Sequence, residues 1–167
     1  MGVTPERLAQ LLEAHGAALE LFASQWTQSP PDVVQEAFVE LARQSIVPDN
    51  IVAWLYRVVR NRAASEARSA RRRKRRESTV ASGRECWFQA SQGEPDAEEV
   101  TEALRSLPEG LSEVLVARIW GGLTFEQIGE VTQTSAATAF RRYEEAISRL
   151  RSRLRIPCPI NKTSPPN

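Results

Sequence analysis

The chain has 167 residues, of which 41% are hydrophobic and 26% charged, and its formal net charge is +1 at pH 7. These values are typical of a soluble protein with one domain or two small ones. No run approaches the roughly 18 apolar residues of a membrane span, and the N-terminus lacks a signal-peptide pattern, so we expect a cytoplasmic protein without a membrane span. The single histidine, His15, and the isolated cysteines Cys86 and Cys158 favour neither a metal site nor a cofactor.

The charges are segregated along the chain. Residues 1–56 carry a net charge of −5 and residues 57–76 a net charge of +9. The sign then alternates again, with −8 in residues 77–140 and +5 in residues 141–167. Two positive segments in an otherwise acidic chain favour binding to a polyanion, because each neutralised phosphate releases counterions.

Helical periodicity runs through the chain, and no run alternates as a strand would, which predicts an all-α fold. The first helix is expected from about Pro5 to Trp26. Its expected buried stripe consists of Leu8, Leu11, Leu12, Leu19 and Phe22.

The second helix is expected to begin near Asp32, because Ser29 is a capping residue and the two prolines that follow fit a first helical turn. One apolar face is predicted to contain Val34, Ala37, Phe38, Leu41 and Ala42. The neighbouring flank of "PDVVQEAF" and the next residue contains Asp32, Gln35, Glu36 and Val39. The helix therefore has a mostly polar flank beside its buried face.

A third helix is expected from about Asn50 to the end of the arginine run, with Val52, Leu55, Val59 and Ala63 against the core. Its other side carries a basic stripe at helical spacing: Arg57, Arg60, Asn61, Ala64, Arg68, Arg71 and Arg75. The stripe is about 27 Å long at 1.5 Å per residue. "ARRRKRR" alone is typical of a solvated surface as much as of a binding site, but the regular stripe before it favours nucleic acid. Trp54 either packs in the core or acts in strand separation.

Residues 77–95 lose periodicity and are rich in Ser, Gly and Gln, which predicts a flexible linker between two domains. Trp87 and Phe88 within it either form a docking contact or cover a neighbouring helix. An acidic helix is expected at about residues 96–106, followed by a turn at "LPEG" and a helix that ends at Gly121 and Gly122.

The segment from residue 123 onward predicts a helix-turn-helix. Thr124 and Gln127 fit a capping box, "TQT" is a short turn, and Ser135 begins a last helix. The predicted buried stripe of that helix is Ala139, Tyr143, Ala146, Ile147, Leu150 and Leu154. The small residue Ala136 at its start would allow close approach to DNA. A plain helical hairpin is the alternative.

Within this element, the expected contacts to base edges come from Thr138, Phe140 and Arg141, and those to phosphates from Arg142 and the helix N-terminus that begins at Ser135. Phe140 either contacts a thymine methyl group or is buried. The tail, residues 156–167, is rich in proline and expected to be disordered.

These segments, in their order across the linker, resemble the extracytoplasmic-function (ECF) sigma factors of bacterial RNA polymerase. "PDVVQEAF" and "AWLYRVVRN" with the basic run are similar to sigma region 2, and "LP", "GLTFEQIGEV", Thr138, Arg142 and Ala146 to region 4. The resemblance implies a region 2 three-helix bundle at residues 5–76, the linker, and a region 4 helix-turn-helix at residues 96–155. It also implies a protein that is not an enzyme, since the polymerase carries the catalysis.

In this family the D-x-x-Q-E-x-F helix binds the clamp of the polymerase beta-prime subunit. The resemblance therefore assigns core-polymerase binding to Asp32, Gln35, Glu36 and Val39. Region 4 would bind the beta flap, and an anti-sigma factor is a further candidate partner. The helix dipole alone would explain Asp32 but does not require Gln35.

The family's promoter contacts map onto both predicted domains. Region 2 opens the minus-ten element, which assigns that role to Asn50, Arg57, Arg60, Asn61, Arg68 and Arg71, with the loop at residues 44–50 holding an unstacked base. Region 4 reads the minus-thirty-five element, which assigns duplex contacts to Ser135, Ala136, Thr138, Phe140, Arg141 and Arg142. Two other classes stay open, a DNA-binding regulator that uses only its helix-turn-helix and an adaptor whose arginines bind an acidic protein or RNA.

Overall fold

The computed structural model describes residues 2–77 and 97–154, and every regular element in these ranges is an α-helix. The helices are α1 (Pro5–Ala23), α2 (Pro30–Ala42), α3 (Ile51–Glu77), α4 (Ala97–Arg105), α5 (Glu109–Ile119), α6 (Phe125–Thr132) and α7 (Ala136–Arg153). No helix in these ranges is long and apolar enough to span a membrane. The expected disordered tail, the pair Trp87 and Phe88, and most of the linker lie outside the described residues.

Helices α1, α2 and α3 pack on one another as a three-helix unit. Thr4 caps α1, because its side chain accepts a hydrogen bond from the Arg7 backbone N–H at 3.3 Å. The helix ends at Ala23, three residues before the expected Trp26. Leu11, Leu19 and Phe22 are buried as predicted, but Leu12 is 50% exposed, so its expected place in the core is wrong.

The start of α2 differs slightly from the prediction. The helix begins at Pro30, and Ser29 holds the cap position without a capping side-chain hydrogen bond. Val34, Ala37, Phe38 and Leu41 are buried as expected, whereas Ala42 is exposed and Val33 takes its place in the core. The buried face of α2 therefore includes Val33 and excludes Ala42, and otherwise it is the predicted one.

Helix α3 runs the full predicted length. Leu55, Val59 and Ala63 are buried, and so is Tyr56, whose ring packs edge-on against Phe22 at 4.9 Å between centroids. These residues belong to a hydrophobic core that extends into the second half of the chain.

The second helical unit contains α4 to α7. A smaller cluster joins α4 and α5 to α7 through Leu104, Leu111, Leu115 and Ala146. The two units pack directly on each other, α1 on α5 and α3 on α6. The main core is shared between them, since buried residues of α5 and α6 such as Val114 and Ile128 pack in the same cluster as Phe22 and Tyr56.

Candidate functional surfaces

The polar flank of α2 is open to solvent. Asp32, Gln35 and Glu36 are exposed, and Val39 is 42% exposed. Phe38, on the neighbouring face of α2, is buried in the core. All four expected residues thus lie together on one accessible flank of α2. The buried face of the helix holds it against the core.

An arginine from α3 lies against this flank. Arg62 Nη1 donates to Glu36 Oε2 at 2.7 Å, and its other terminal nitrogen donates to Glu40. The hydrogen bond to Glu40, and then the charges of both glutamates, raise the pKa of Arg62 above its ordinary value. Sequence reasoning missed Arg62 and Glu40, although Glu36 and Glu40 stand one turn apart on α2.

Most of the basic stripe on α3 is accessible. Arg57, Asn61, Arg68 and Arg71 are exposed. Arg60 differs, because its side chain is only 21% exposed and its Nε lies 2.9 Å from Glu113 Oε2. Four of the expected minus-ten residues can therefore reach a ligand directly, and one is bound within the protein.

The loop before α3 exposes two apolar side chains. Ile46 is 81% exposed and the neighbouring Val47 is 37% exposed. Asn50 is also exposed, but its Oδ1 accepts a hydrogen bond from the Ala53 backbone N–H at 2.9 Å and so caps α3. Trp54 packs against the core as a half-buried side chain, which agrees with the core alternative for this residue.

The first two turns of α7 present hydroxyl groups and an arginine. Ser135 caps the helix by accepting a hydrogen bond from the Thr138 backbone N–H at 3.1 Å, and the two hydroxyl oxygens are 2.9 Å apart. Arg141 is exposed and donates from Nη2 to Thr138 Oγ1 at 3.4 Å. Ala136 is half-buried beside them. The polar side chains of Ser135, Thr138 and Arg141 thus lie together at one end of α7, which can enter a groove.

Two other expected residues of α7 have partners in the protein. Phe140 is 44% exposed, with the rest of its ring packed edge-on against Phe125 at 5.2 Å between centroids. It is thus neither fully buried nor free. Arg142 Nη1 lies 3.9 Å from Glu113 Oε1.

The capping box before α6 and the short turn after it are built as the sequence predicts. Thr124 and Gln127 form both hydrogen bonds of the capping box, at 3.3 and 2.9 Å. Gln133 ends α6 in the left-handed region at φ 57°, and Gly129 lies so close to the turn that an added Cβ would be 2.7 Å from Thr134 O. The tight turn fixes α7 relative to α6.

Glu113 is a further charged residue that sequence reasoning missed. Its side chain is only 4% exposed. Burial raises the pKa of its carboxyl group, while the hydrogen bond and charge of Arg60 and the charge of Arg142 oppose that rise. Nothing in the local pattern of α5 marks this position, since the partners of Glu113 lie on two other helices, Arg60 on α3 and Arg142 on α7. The described residues contain no cluster of three side chains suited to hold a metal ion.

Comparisons with known proteins agree with this architecture. Residues 97–155 match the family model for sigma-70, region 4. No curated protein matches the chain in sequence. Among solved structures, the fold is similar to that of the sigma factor RpoE from Bartonella quintana, solved in complex with the anti-sigma factor NepR, with a TM-score of 0.72 and 22% identity. The similarity covers 93% of this chain and 100% of that one.

Proposed function

We propose that the chain is a sigma factor of the extracytoplasmic-function type, with α1 to α3 as region 2 and α4 to α7 as region 4. The observation that carries this proposal is the combination of a region 4 family match with a fold that follows a solved sigma factor along almost the whole chain. The protein directs RNA polymerase to promoters. A regulator that used only its helix-turn-helix would not need an N-terminal unit of this fold.

Core polymerase is proposed to bind the exposed flank of α2. Asp32, Gln35, Glu36 and Val39 supply two carboxylates, an amide and an apolar contact on one surface. Carboxylates form strong charge-assisted hydrogen bonds with arginines, which suits a basic clamp helix. Region 4 is proposed to bind the beta flap.

Promoter DNA is proposed to contact both units. The exposed side chains of Arg57, Asn61, Arg68 and Arg71 follow the separated and duplex DNA of the minus-ten element, where arginines bind phosphates without sequence preference. The first two turns of α7 read the minus-thirty-five element, with Arg141 as the candidate for bidentate contact to a guanine. Arg60, Asn50 and Arg142 can contact DNA only after each has released its present partner in the protein.

The remaining assignments follow from the same proposal. The protein makes and breaks no bond itself, needs no cofactor, and acts in the cytoplasm with the polymerase. We propose the domain limits 5–76 and 96–155, joined by the linker at residues 77–95. Because the similar RpoE was solved with an anti-sigma factor, an anti-sigma factor is also proposed as a partner of this chain.

Transcription with purified core polymerase tests the function. The full chain and core together should initiate from specific sites in a library of genomic promoter fragments, and neither alone should do so. A chain that shifts duplex DNA unaided and adds no promoter-specific transcription would be a regulator, and one that does neither would be an adaptor.

A paired variant tests the core-binding surface. Gln35→Ala combined with Glu36→Gln should weaken binding to core, measured by titration of labelled chain. Glu13→Gln is the matched control, because it removes an exposed carboxylate from α1. Equal core affinity of the paired variant and the control would contradict the assignment.

A further inference from the structure

A large apolar side chain is exposed on the face of α7 that is proposed to meet DNA. Phe140 is 44% exposed. It shares this exposed face with Ala137, Arg141 and Glu144, which lie three or four residues apart along the helix. Side chains on a helix lean toward its N-terminus, so the ring lies over the first turn, where the side chain of Ala137 is only a methyl group. A single exposed phenyl ring is common on protein surfaces, but this one lies beside the arginine proposed to contact bases.

An aromatic cluster holds the ring of Phe140 in place. The ring is perpendicular to that of Phe125, with 5.2 Å between the centroids. Phe125 packs in turn against Tyr143 at 5.6 Å, and the guanidinium carbon of Arg118 lies 4.9 Å from the Phe125 centroid. Arg118 is itself fixed, since its Nη1 donates to Leu123 O at 2.7 Å. Phe140 can therefore make a contact without first being ordered, which lowers the entropic cost of binding.

The chemistry of the major groove determines what such a ring can recognise. Base edges there present hydrogen-bond donors and acceptors, and the one methyl group among them is the 5-methyl group of thymine. A phenyl ring placed against a carbonyl, an amino group or a ring nitrogen displaces water from it and offers no hydrogen bond in return, which is unfavourable. Against a thymine methyl group, the same contact buries apolar surface on both sides and is favourable. A phenyl ring in the groove thus selects thymine.

We propose that Phe140 is a specificity-determining residue that recognises the 5-methyl group of a thymine in the minus-thirty-five element. The inference rests on the proposed function, because it requires that the first two turns of α7 enter the major groove. Arg141, on the same face, then supplies hydrogen bonds to a guanine, while Phe140 makes an apolar contact to another base. Because the preference for thymine comes from one methyl group, it amounts to about three- to fivefold in affinity.

Replacing thymine with uracil isolates the methyl group. Uracil keeps the pairing and the O4 acceptor of thymine and lacks only the 5-methyl group. In a promoter that the full chain and core polymerase transcribe, each thymine of the minus-thirty-five element, on either strand, is replaced in turn by deoxyuridine. Competition binding then measures the affinity of the complex of chain and core for each duplex. For the wild-type chain, replacement at one position should weaken binding about three- to fivefold.

Variants of the chain test whether the methyl contact is made by Phe140. Phe140→Ala should bind the thymine promoter more weakly and should no longer distinguish thymine from uracil at that position. Phe140→Leu retains an apolar side chain and should keep part of the discrimination. Ile119→Ala is the control, because it removes another exposed apolar side chain, 48% exposed at the end of α5, and should discriminate as the wild type does. Thermal denaturation checks that each variant remains folded.

Three results would overturn the proposal even where transcription with core succeeds. They are a minus-thirty-five element without thymine, equal affinity of the wild type for every uracil-containing duplex, and a methyl effect of wild-type size in Phe140→Ala.

Failure of the proposed function gives a different result. If the chain with core shows no promoter-specific transcription, the sigma function fails, and the same replacements are made in a duplex that the full chain alone selects from a random-sequence library. A methyl effect that depends on Phe140 in that duplex would support the thymine contact without the sigma role. If no duplex is selected, both proposals are overturned.

Discussion

The guanidinium group of Arg62 is held 2.7 Å from the Glu36 carboxylate, so a residue of the proposed core-binding flank already has a cationic partner in the free chain. Arg62 also binds Glu40. All three side chains are more than one-third exposed, and such pairs contribute little to the stability of a fold. On the proposed function the pair matters through competition, because a basic clamp that bound Glu36 would have to displace Arg62 from it.

Removing this competitor should tighten core binding. For Arg62→Gln we expect the affinity for core to rise about two- to fivefold, in line with the small free energy of an exposed ion pair, with thermal stability almost unchanged. Titration of labelled chain with core measures the change, and Arg68→Gln controls for the loss of one positive charge from α3. A loss of affinity specific to Arg62→Gln would mean that Arg62 positions Glu36 for the clamp.

The sequence was sufficient to predict the helices and the exposed flank of α2. Caps, prolines and glycines are local signals, and they predicted both the capping box at Thr124 and the start of α7 at Ser135, as the structure has them. Leu12 was misplaced because it lies at the edge of the apolar stripe, where helical periodicity alone does not decide burial. The RpoE similarity and the region 4 match agree with the family resemblance.

The interface between the units was not predictable from local pattern. Glu113 and Tyr56 are buried among residues of other helices, such as Arg60 beside Glu113 and Phe22 beside Tyr56. A carboxylate in a helix is ordinarily assigned to solvent. Sequence reasoning also assigned Arg60 and Arg142 to DNA without a competing partner. Their pairing with Glu113 results from tertiary packing, which no spacing rule within α3 or α7 describes.

Arg141 should contribute to promoter selectivity through the minus-thirty-five element. It is exposed at the N-terminal end of α7, and its described hydrogen bond is to Thr138 on the same helix. Arg141→Ala should reduce transcription from promoters with that element. It should also reduce the free-energy difference between matched and mismatched minus-thirty-five elements by about 1–3 kcal/mol, the usual size for a bidentate base contact. Arg149→Ala, at an exposed position further along α7, is the control. Equal promoter preference in the two variants would remove Arg141 from base readout.

The turn of the helix-turn-helix should not tolerate a methyl group at Gly129. An added Cβ would lie 2.7 Å from Thr134 O and 3.2 Å from Ala136 N, which are backbone atoms that cannot move without shifting α7. Gly129→Ala should lower the free energy of unfolding by about 1–3 kcal/mol and weaken binding to minus-thirty-five DNA. Chemical denaturation and a duplex titration provide the two measurements.

Gly110 provides the matched control for that substitution. It lies within α5, and an added Cβ there would be an ordinary 3.6 Å from the Arg142 guanidinium group. Gly110→Ala should raise stability by up to about 1 kcal/mol, because alanine is the better helix former. Stabilisation by both substitutions would show that the turn adapts to the extra methyl group.

The buried hydroxyl of Tyr56 should make the fold sensitive to alkaline pH. Within the described residues it has no hydrogen-bond partner, and burial raises the pKa of Tyr56 far above its ordinary value of 10.0. The folded state therefore binds the phenolic proton more tightly than the unfolded state does. By linkage, the stability of the wild-type chain is unaffected by this group below pH 10 and falls as the pH rises above it.

Tyr56→Phe removes that titration and a polar atom without a partner. We expect the variant to be as stable as the wild type or more stable at pH 7, since replacing an unsatisfied buried hydroxyl avoids its desolvation cost of about 1–3 kcal/mol. The advantage should grow between pH 9.5 and pH 11. Urea denaturation across this range measures it, with Tyr143→Phe, a half-buried tyrosine of α7, as the comparison. A constant difference between Tyr56→Phe and wild type over the whole range would mean that the phenol ionises as readily in the folded chain as in the unfolded one.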